Sequence, residues 1–364
     1  MRIREVIHYL ESLAPLSSQE SYDNSGLIVG DANTEVRAAL ISLDCTEDII
    51  DEALRKNCNL IIAHHPIVFK GLKSFTGRNY VERTVIKAIK NDIAIYAIHT
   101  NLDNYLNGVN FEIGNHLGLQ NLKILAPTSD ALTKLVVYCP EKEADNLRDT
   151  LFEAGAGNIG NYSDCSYNLV GEGTYKGNEN SNPTLGVKGN RHSEKEIRIE
   201  VLVSKHRETN VVNAMLQAHP YEEVAYDLIP LKNKNKDEGA GMIGEYAEPM
   251  ETEDFLKHLK EVFQVPCIRH TSLVKNRIRK VAFCGGSGSF LLGKARSKQA
   301  DIYVTGDFKY HEFFDAEDQI IIADIGHYES EQYTKNLLYD ILSKKFPKFA
   351  VHLAEISTNP INYF

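Results

Sequence analysis

At 364 residues the chain exceeds one ordinary core, and length alone predicts two or three domains. Its 43% hydrophobic and 25% charged residues are those of a soluble globular protein; no apolar run could span a bilayer and no signal-peptide core follows Met1, so a cytoplasmic location without a membrane partner is expected. A net charge of −10 argues against non-specific nucleic-acid binding, and six scattered cysteines with no C-x-x-C pair signal neither a zinc knuckle nor a disulfide framework.

Ile3, Val6, Ile7, Leu10 and Leu13 recur at helical spacing and predict an amphipathic helix over residues 3–13. The polar cluster Tyr22-Asp23-Asn24-Ser25-Gly26 then leads into Leu27-Ile28-Val29, and its Asp and Asn read as loop-bracing side chains. A strand from Val36 to Leu43, a helix from Glu47 to Lys56 and a strand from Leu60 to Ala63 form a parallel crossover unit. Asp44 or Thr46 caps its helix.

The second strand stops at His64-His65-Pro66. Open α/β sheets place ligands outside the carboxyl ends of their strands. Pro66 keeps His65 extended, and neighbouring strand residues point to opposite faces. Two ions, one per histidine, are therefore easier to hold than one. A helix from Val81 to Lys90 leads to a further strand, Ile93 to Ile98, which ends in His99-Thr100-Asn101-Leu102-Asp103. Asp103 and His99 both stand where they could reach such ions.

From Pro127 to Lys236 the pattern changes to strand (Leu135–Cys139), helix (Glu141–Glu153), strand (Tyr167–Val170), strand (Glu196–Val203), helix (Glu208–Gln217) and strand (Val224–Ile229). That is the ferredoxin-like order, spliced into a host domain. A loop rich in Gly, Asn and Ser is expected from Gly171 to Glu194. His219-Pro220-Tyr221-Glu222-Glu223 reads as a structural or lid segment, having no strand-end partner.

Residues 237–364 echo residues 1–126. A strand from Lys280 to Cys284, a Gly285-Gly286-Ser287-Gly288-Ser289 turn, a helix from Phe290 to Lys298 and a strand from Asp301 to Thr305 repeat the first crossover unit, with Gly306 in the place of His64. A helix near His311–Ala316 and a strand from Ile320 to Asp324 then reach Gly326-His327-Tyr328-Glu329-Ser330-Glu331. His327 and Glu331 are one helical turn apart and share a face. The fold class expected is thus α/β, a duplicated host with mostly parallel sheets plus an inserted α+β domain. Its parts are residues 1–126, 127–236 and 237–364.

His64, His65, Asp103, His327 and Glu331 together offer three imidazoles and two carboxylates. Five ligands with bridging carboxylates suit two ions about 3.5 to 4 Å apart. Mixed nitrogen and oxygen donors favour Zn, with Mn or Fe as alternates. The glycines at 285, 286 and 288 with Ser287 could cradle an anion through backbone N–H groups, but the spacing is not that of a nucleotide-triphosphate loop.

The motifs Tyr22-Asp23-Asn24-Ser25-Gly26-Leu27, His64-His65-Pro66, His99 to Asp103 and Gly326 to Glu331 resemble the Nif-three-like dinuclear metal-centre family, whose members often carry Trp in place of Tyr22. The insert, with His219 to Asp227, resembles the PII/CutA-like module of its longer members. This resemblance implies a two-metal centre on the same five residues and a toroidal homohexamer, a trimer of dimers. It also implies a GTP cyclohydrolase-like label. The expected function is a metal-dependent hydrolase acting on a nucleotide-like substrate, with His99 transferring protons or orienting a ligand. The alternative is a metal-binding regulatory or scaffold hexamer without turnover.

Overall fold

The computed structural model describes residues 1–129 and 131–364, which divide into two compact units: residues 1–126 with 237–364, and residues 127–236. The first unit begins with α1 (Ile3–Leu13), which buries Ile3, Val6 and Leu10 on one face. It continues through β1 (Gly26–Val29), β2 (Ala38–Ser42), α2 (Glu47–Arg55), β3 (Leu60–Ala63), α3 (Tyr80–Lys90), β4 (Ala94–Ala97), α4 (Thr100–Asp103), α5 (Val109–His116) and β5 (Gln120–Thr128). Thr46 and Asn79 cap α2 and α3 by accepting the N–H groups of Ile49 and Glu82. Thr46, not Asp44, is therefore the cap of α2.

The second unit runs β6 (Leu132–Pro140), α6 (Ala144–Glu153), β7 (Ser166–Tyr175), β8 (His192–Ser204), α7 (Glu208–Ala218) and β9 (Tyr226–Leu231). Its strands are ordered β7-β8-β6-β9 and all pair antiparallel, which is the ferredoxin-like arrangement. The β7–β8 hairpin is longer than its polar composition predicts, pairing from Ser166↔Val201 to Tyr175↔His192. Ladder hydrogen bonds are made by backbone, so charged and glycine residues on an open face do not end a strand.

The first unit then resumes with β10 (Asn235–Glu251), α8 (Thr252–Phe263), β11 (Arg269–His270), β12 (Arg277–Ser287), α9 (Leu292–Ser297), β13 (Ile302–Gly306), β14 (Ile321–Asp324), α10 (His327–Glu331), α11 (Thr334–Lys345) and β15 (Ala350–Leu353). Here β12 continues through Gly285 and Gly286, where the composition predicts a turn, and Ser287 still pairs with Gly306.

Two mixed sheets result. The first is ordered β1-β4-β3-β2-β15 and the second β11-β14-β13-β12-β10-β5. Within them β2, β3, β4 and β15 are parallel, as are β12, β13 and β14. Residues alternate between faces: Leu60 and Ile62 enter a core shared with Phe283, Val304 and Leu338, while Ile61 and Ala63 pack under α2 and α3. This alternation stops where β3 ends: the chain bends at His64 and His65, so the two rings do not take opposite faces as the strand pattern predicts but stand together, their centroids 4.9 Å apart. Because Ala63 registers with Ala97, the residues following β3 and β4 emerge side by side.

Candidate metal centre

His64 is wholly buried at the end of β3. Its Nδ1–H donates to the Ile98 carbonyl at 2.8 Å, which directs the lone pair of Nε2 the other way. Nε2 lies 3.6 Å from Asp103 Oδ1 and 3.8 Å from Glu331 Oε1. Nε2 and Asp103 Oδ1 are both buried without a hydrogen-bond partner. Each such orphan costs about 1–3 kcal/mol, so facing orphans of this chemistry call for a cation. Donors bonded at about 2.0–2.2 Å to a tetrahedral ion stand roughly 3.3–3.6 Å apart. The donor set and spacing therefore fit a metal ion.

A second set stands beside the first. His65 Nδ1–H donates to Asp44 at 2.8 Å and His327 Nδ1–H to Asp307 at 2.7 Å. Their Nε2 atoms then face each other at 3.2 Å, and each lies within 3.1 Å of Glu331 Oε2. Two lone pairs that close repel unless a proton or a metal ion lies between them. In the absence of an ion, protons fill that role. Burial alone would lower both imidazoles, but the carboxylates around them push His65 up to about 10 and His327 up to about 11. Burial and the neighbouring Glu331 charge raise Asp103 to about 7, whereas His327 and the other imidazoles, against the opposing effect of burial, hold Glu331 well below the usual carboxylate range.

Glu331 is 3% exposed and turns Oε1 to the His64 set and Oε2 to the His65 set. Glycine makes room for it, since a Cβ at Gly286 would come 2.3 Å from Oε1. The Gly285 N–H donates to Asn110 and the Gly286 N–H to Ser330, so these two amides are not free for an anion as the composition suggested. Their evident use is to seat a carboxylate.

His99 lines the same space, with its ring 5.3 Å from His64 and 5.2 Å from His65. Its Nδ1–H donates to Asp23 at 2.7 Å. Asp23 also accepts from the Thr100 N–H and from the hydroxyls of Thr100 and Ser25. Burial works against ionisation there, yet the His99 and Thr100 hydrogen bonds drive Asp23 far below its ordinary value. Asp23 is thus an imidazole-orienting residue, not the loop brace its neighbours suggest. Asn24 is the brace, donating to the Val68 carbonyl at 2.6 Å.

Among the described residues, three sets could hold a metal ion: His64, Asp103 and Glu331; His65, His327 and Glu331; and His64, His65 and His99. Of these residues His65, His99 and His327 line a cavity of about 760 Å³, together with Phe69, Arg269, Tyr328 and Tyr363. The end of the chain forms one wall, with the Thr358 hydroxyl donating to Asp44 at 2.6 Å and the Asn359 amide to Glu329 at 2.9 Å. Asp23, Asp44, Asp307 and Thr358 were all missed by sequence reasoning. Only Asp307 left a signal, since it follows Gly306 as His65 follows His64.

A family model described as Duf34/NIF3 (NGG1p interacting factor 3) matches residues 1–360. The chain belongs to the DUF34/NIF3 family. Relatives named GTP cyclohydrolase 1 type 2 homolog include those of Halalkalibacterium halodurans, 41% identical over 98% of both chains, and Bacillus subtilis, 36% identical over 99% of this chain and 98% of the relative. A crystal structure of a Bacillus cereus protein related to NIF3 superposes with a TM-score of 0.87 at 38% identity, covering 100% of this chain and 99% of that one. A Staphylococcus aureus structure gives 0.78 at 31%, with the same coverage. Membership in the DUF34/NIF3 family agrees with the resemblance of the histidine and aspartate motifs. No helix among the described residues is long and apolar enough to cross a membrane.

Proposed function

We propose that this protein binds two divalent cations, Zn most readily with Mn or Fe as alternates, and acts as a metal-dependent hydrolase on a nucleotide-like substrate in the cytoplasm. The observation that carries the reading is Glu331, whose two oxygens serve two donor sets at once. When bound, such ions supply Lewis-acid charge and lower the pKa of water towards about 7.

The chain's own residues do the rest. Asp44 and Asp307 hold His65 and His327 in the tautomer that presents Nε2. Asp23 does the same for His99, which is left to take or give a proton at Nε2 beside the donor sets. Phe69, Tyr328 and Tyr363 offer aromatic walls to a base; the Ser287↔Gly306 pairing engages one of the two remaining amides, Ser287 or Gly288, in the sheet ladder and leaves at most the other for an anionic group. The relatives' shared name makes GTP the first substrate to test; addition of one water at purine C8 would break one C8–N bond and open the imidazole ring to a formamide, and a second water would hydrolyse the remaining C8–N bond to release formate. The same resemblance supports a PII/CutA-like insert and a toroidal homohexamer, a trimer of dimers, which light scattering would check.

The test is metal content per subunit together with turnover. Two equivalents of metal, and turnover lost in His65→Ala with the fold intact by circular dichroism, are expected. An unchanged rate in that variant refutes the hydrolase. The second reading, a regulatory or scaffold hexamer, is favoured by the separate cavity of the insert, and predicts that metal removal dissociates the oligomer with no turnover against any nucleotide.

A further inference from the structure

The insert holds a cavity of its own, about 880 Å³, between the β7–β8 hairpin, the loop that follows β7 and the segment after α7. Its chemistry differs from that of the metal centre, with no imidazole in the lining. Tyr138, Tyr175 and Tyr221 line it, and the rings of Tyr175 and Tyr221 meet at 5.9 Å and 63°. Glu196, on β8, is the buried polar group. It is only 9% exposed, and one carboxylate oxygen accepts from the Tyr221 hydroxyl at 3.0 Å. Its other oxygen has no hydrogen-bond partner among the described residues.

That second oxygen stands over Gly173, another lining residue, where an added Cβ would come within 2.1 Å of it. Glycine in a strand interior weakens the strand, and here it leaves the room that the carboxylate occupies. Burial, followed by the bond to Glu196, raises the Tyr221 hydroxyl, which therefore stays a neutral donor. His219 supports the wall, its Nε2–H donating to the Tyr138 carbonyl at 2.9 Å and its Nδ1 accepting the Tyr221 N–H at 3.1 Å. This is the structural role its sequence context suggested.

The surrounding charge has the same sign. Glu172, Glu222 and Glu223 also line the cavity, against Lys176 and Arg198; one guanidinium nitrogen of Arg198 is paired with Glu200 at 2.8 Å, while its Nε is buried without a hydrogen-bond partner. A buried carboxylate with a free oxygen, set among tyrosine faces, is the recognition chemistry of an organic ammonium ion, which gains both charge pairing and cation–π attraction. We propose that the insert binds a small organic amine in this cavity, its ammonium group on Glu196 and its alkyl part against Tyr175 and Tyr221. The site is independent of the metal centre and stands whether or not the protein is a hydrolase.

The experiment is calorimetric titration of the full-length protein with spermidine and with tetramethylammonium, with sodium phosphate as the anionic control. The chain contains no tryptophan, so quenching of tyrosine emission gives a second readout. The expected result is saturable binding of at least one amine, no binding of phosphate, and affinity at least tenfold weaker in Glu196→Gln but unchanged in Glu153→Gln, whose side chain is on the exposed surface of α6. Tyr221→Phe, which keeps the ring, should weaken binding less than Glu196→Gln. Equal thermal unfolding of parent and Glu196→Gln separates lost binding from lost fold. No amine bound by the parent, binding undiminished in Glu196→Gln, or equal loss in Glu153→Gln through the net negative charge would each overturn the assignment.

Discussion

The two halves of the unit that carries the candidate metal centre use the same strand ends for different purposes. In the first half β3 ends in His64 and His65, and β4 leads to His99, so the sheet edge itself supplies imidazoles. In the second half the position matching His64 is Gly306, where a Cβ would come within 2.8 Å of the Gly326 carbonyl carbon and the His327 N–H nitrogen. A side chain is excluded there because α10 crosses that edge, and α10 is what delivers His327 and Glu331. Two halves with the same strand order thus build an asymmetric site: one half presents imidazoles from strand ends, the other stays bare so that a helix can approach. The equivalent histidines remain alike in one respect, since His99 and His327 each donate Nδ1–H to an aspartate at 2.7 Å.

The largest effect should come from Glu331→Gln, which disables both donor sets together; metal content by mass spectrometry should fall from about two equivalents towards zero. Loss of a single equivalent would show that the halves hold their ions independently. Next, Asp23→Asn should leave metal content intact while turnover drops by about 10²–10⁴, the range of lost proton transfer. If Asp23→Asn instead releases metal, His99 is a ligand and the two halves are more alike than this reading allows. Asp307→Asn should do the converse, weakening one ion by about 10–100-fold through His327, measured by chelator competition. Asp44→Asn should match it through His65.

Acid should weaken metal uptake. In the metal-free protein His65 and His327 are raised to about 10 and 11, so both carry protons at neutral pH that an ion must displace. Zinc addition in weak buffer should therefore release protons, and affinity should rise from pH 6 to pH 8. The smallest effect is expected for Gly306→Ala, about 1–3 kcal/mol of overpacking strain, read as a lower unfolding midpoint of metal-free protein and tighter dependence of that midpoint on added zinc. An unchanged midpoint would mean that α10 has slack, and that the bare edge is not what admits it.

What local sequence determines is clear at β3, where four buried residues, Leu60 to Ala63, run directly into His64 and His65. The candidate donor positions were legible because an apolar run marks a strand and a polar residue at its end needs no distant information. Their aspartate partners were not legible. Asp23 and Asp44 lie 76 and 21 residues from the imidazoles they orient, and an aspartate before a turn or helix looks the same whether it caps a helix or holds a histidine.

The sequence by itself determined the helices, the strand ends, the insert with its strand order, and the residue types gathered for a metal. Tertiary structure alone decided which strands leave their own half. β15 crosses to pair with β2 in the first sheet, and β5 joins β10 in the second. It also decided that the C-terminal residues fold back to hold Asp44 through Thr358. Local patterning fixes which face of an element is apolar, whereas the neighbour that covers that face is chosen by the best-packed arrangement of the whole core, and no stretch of residues carries that choice alone.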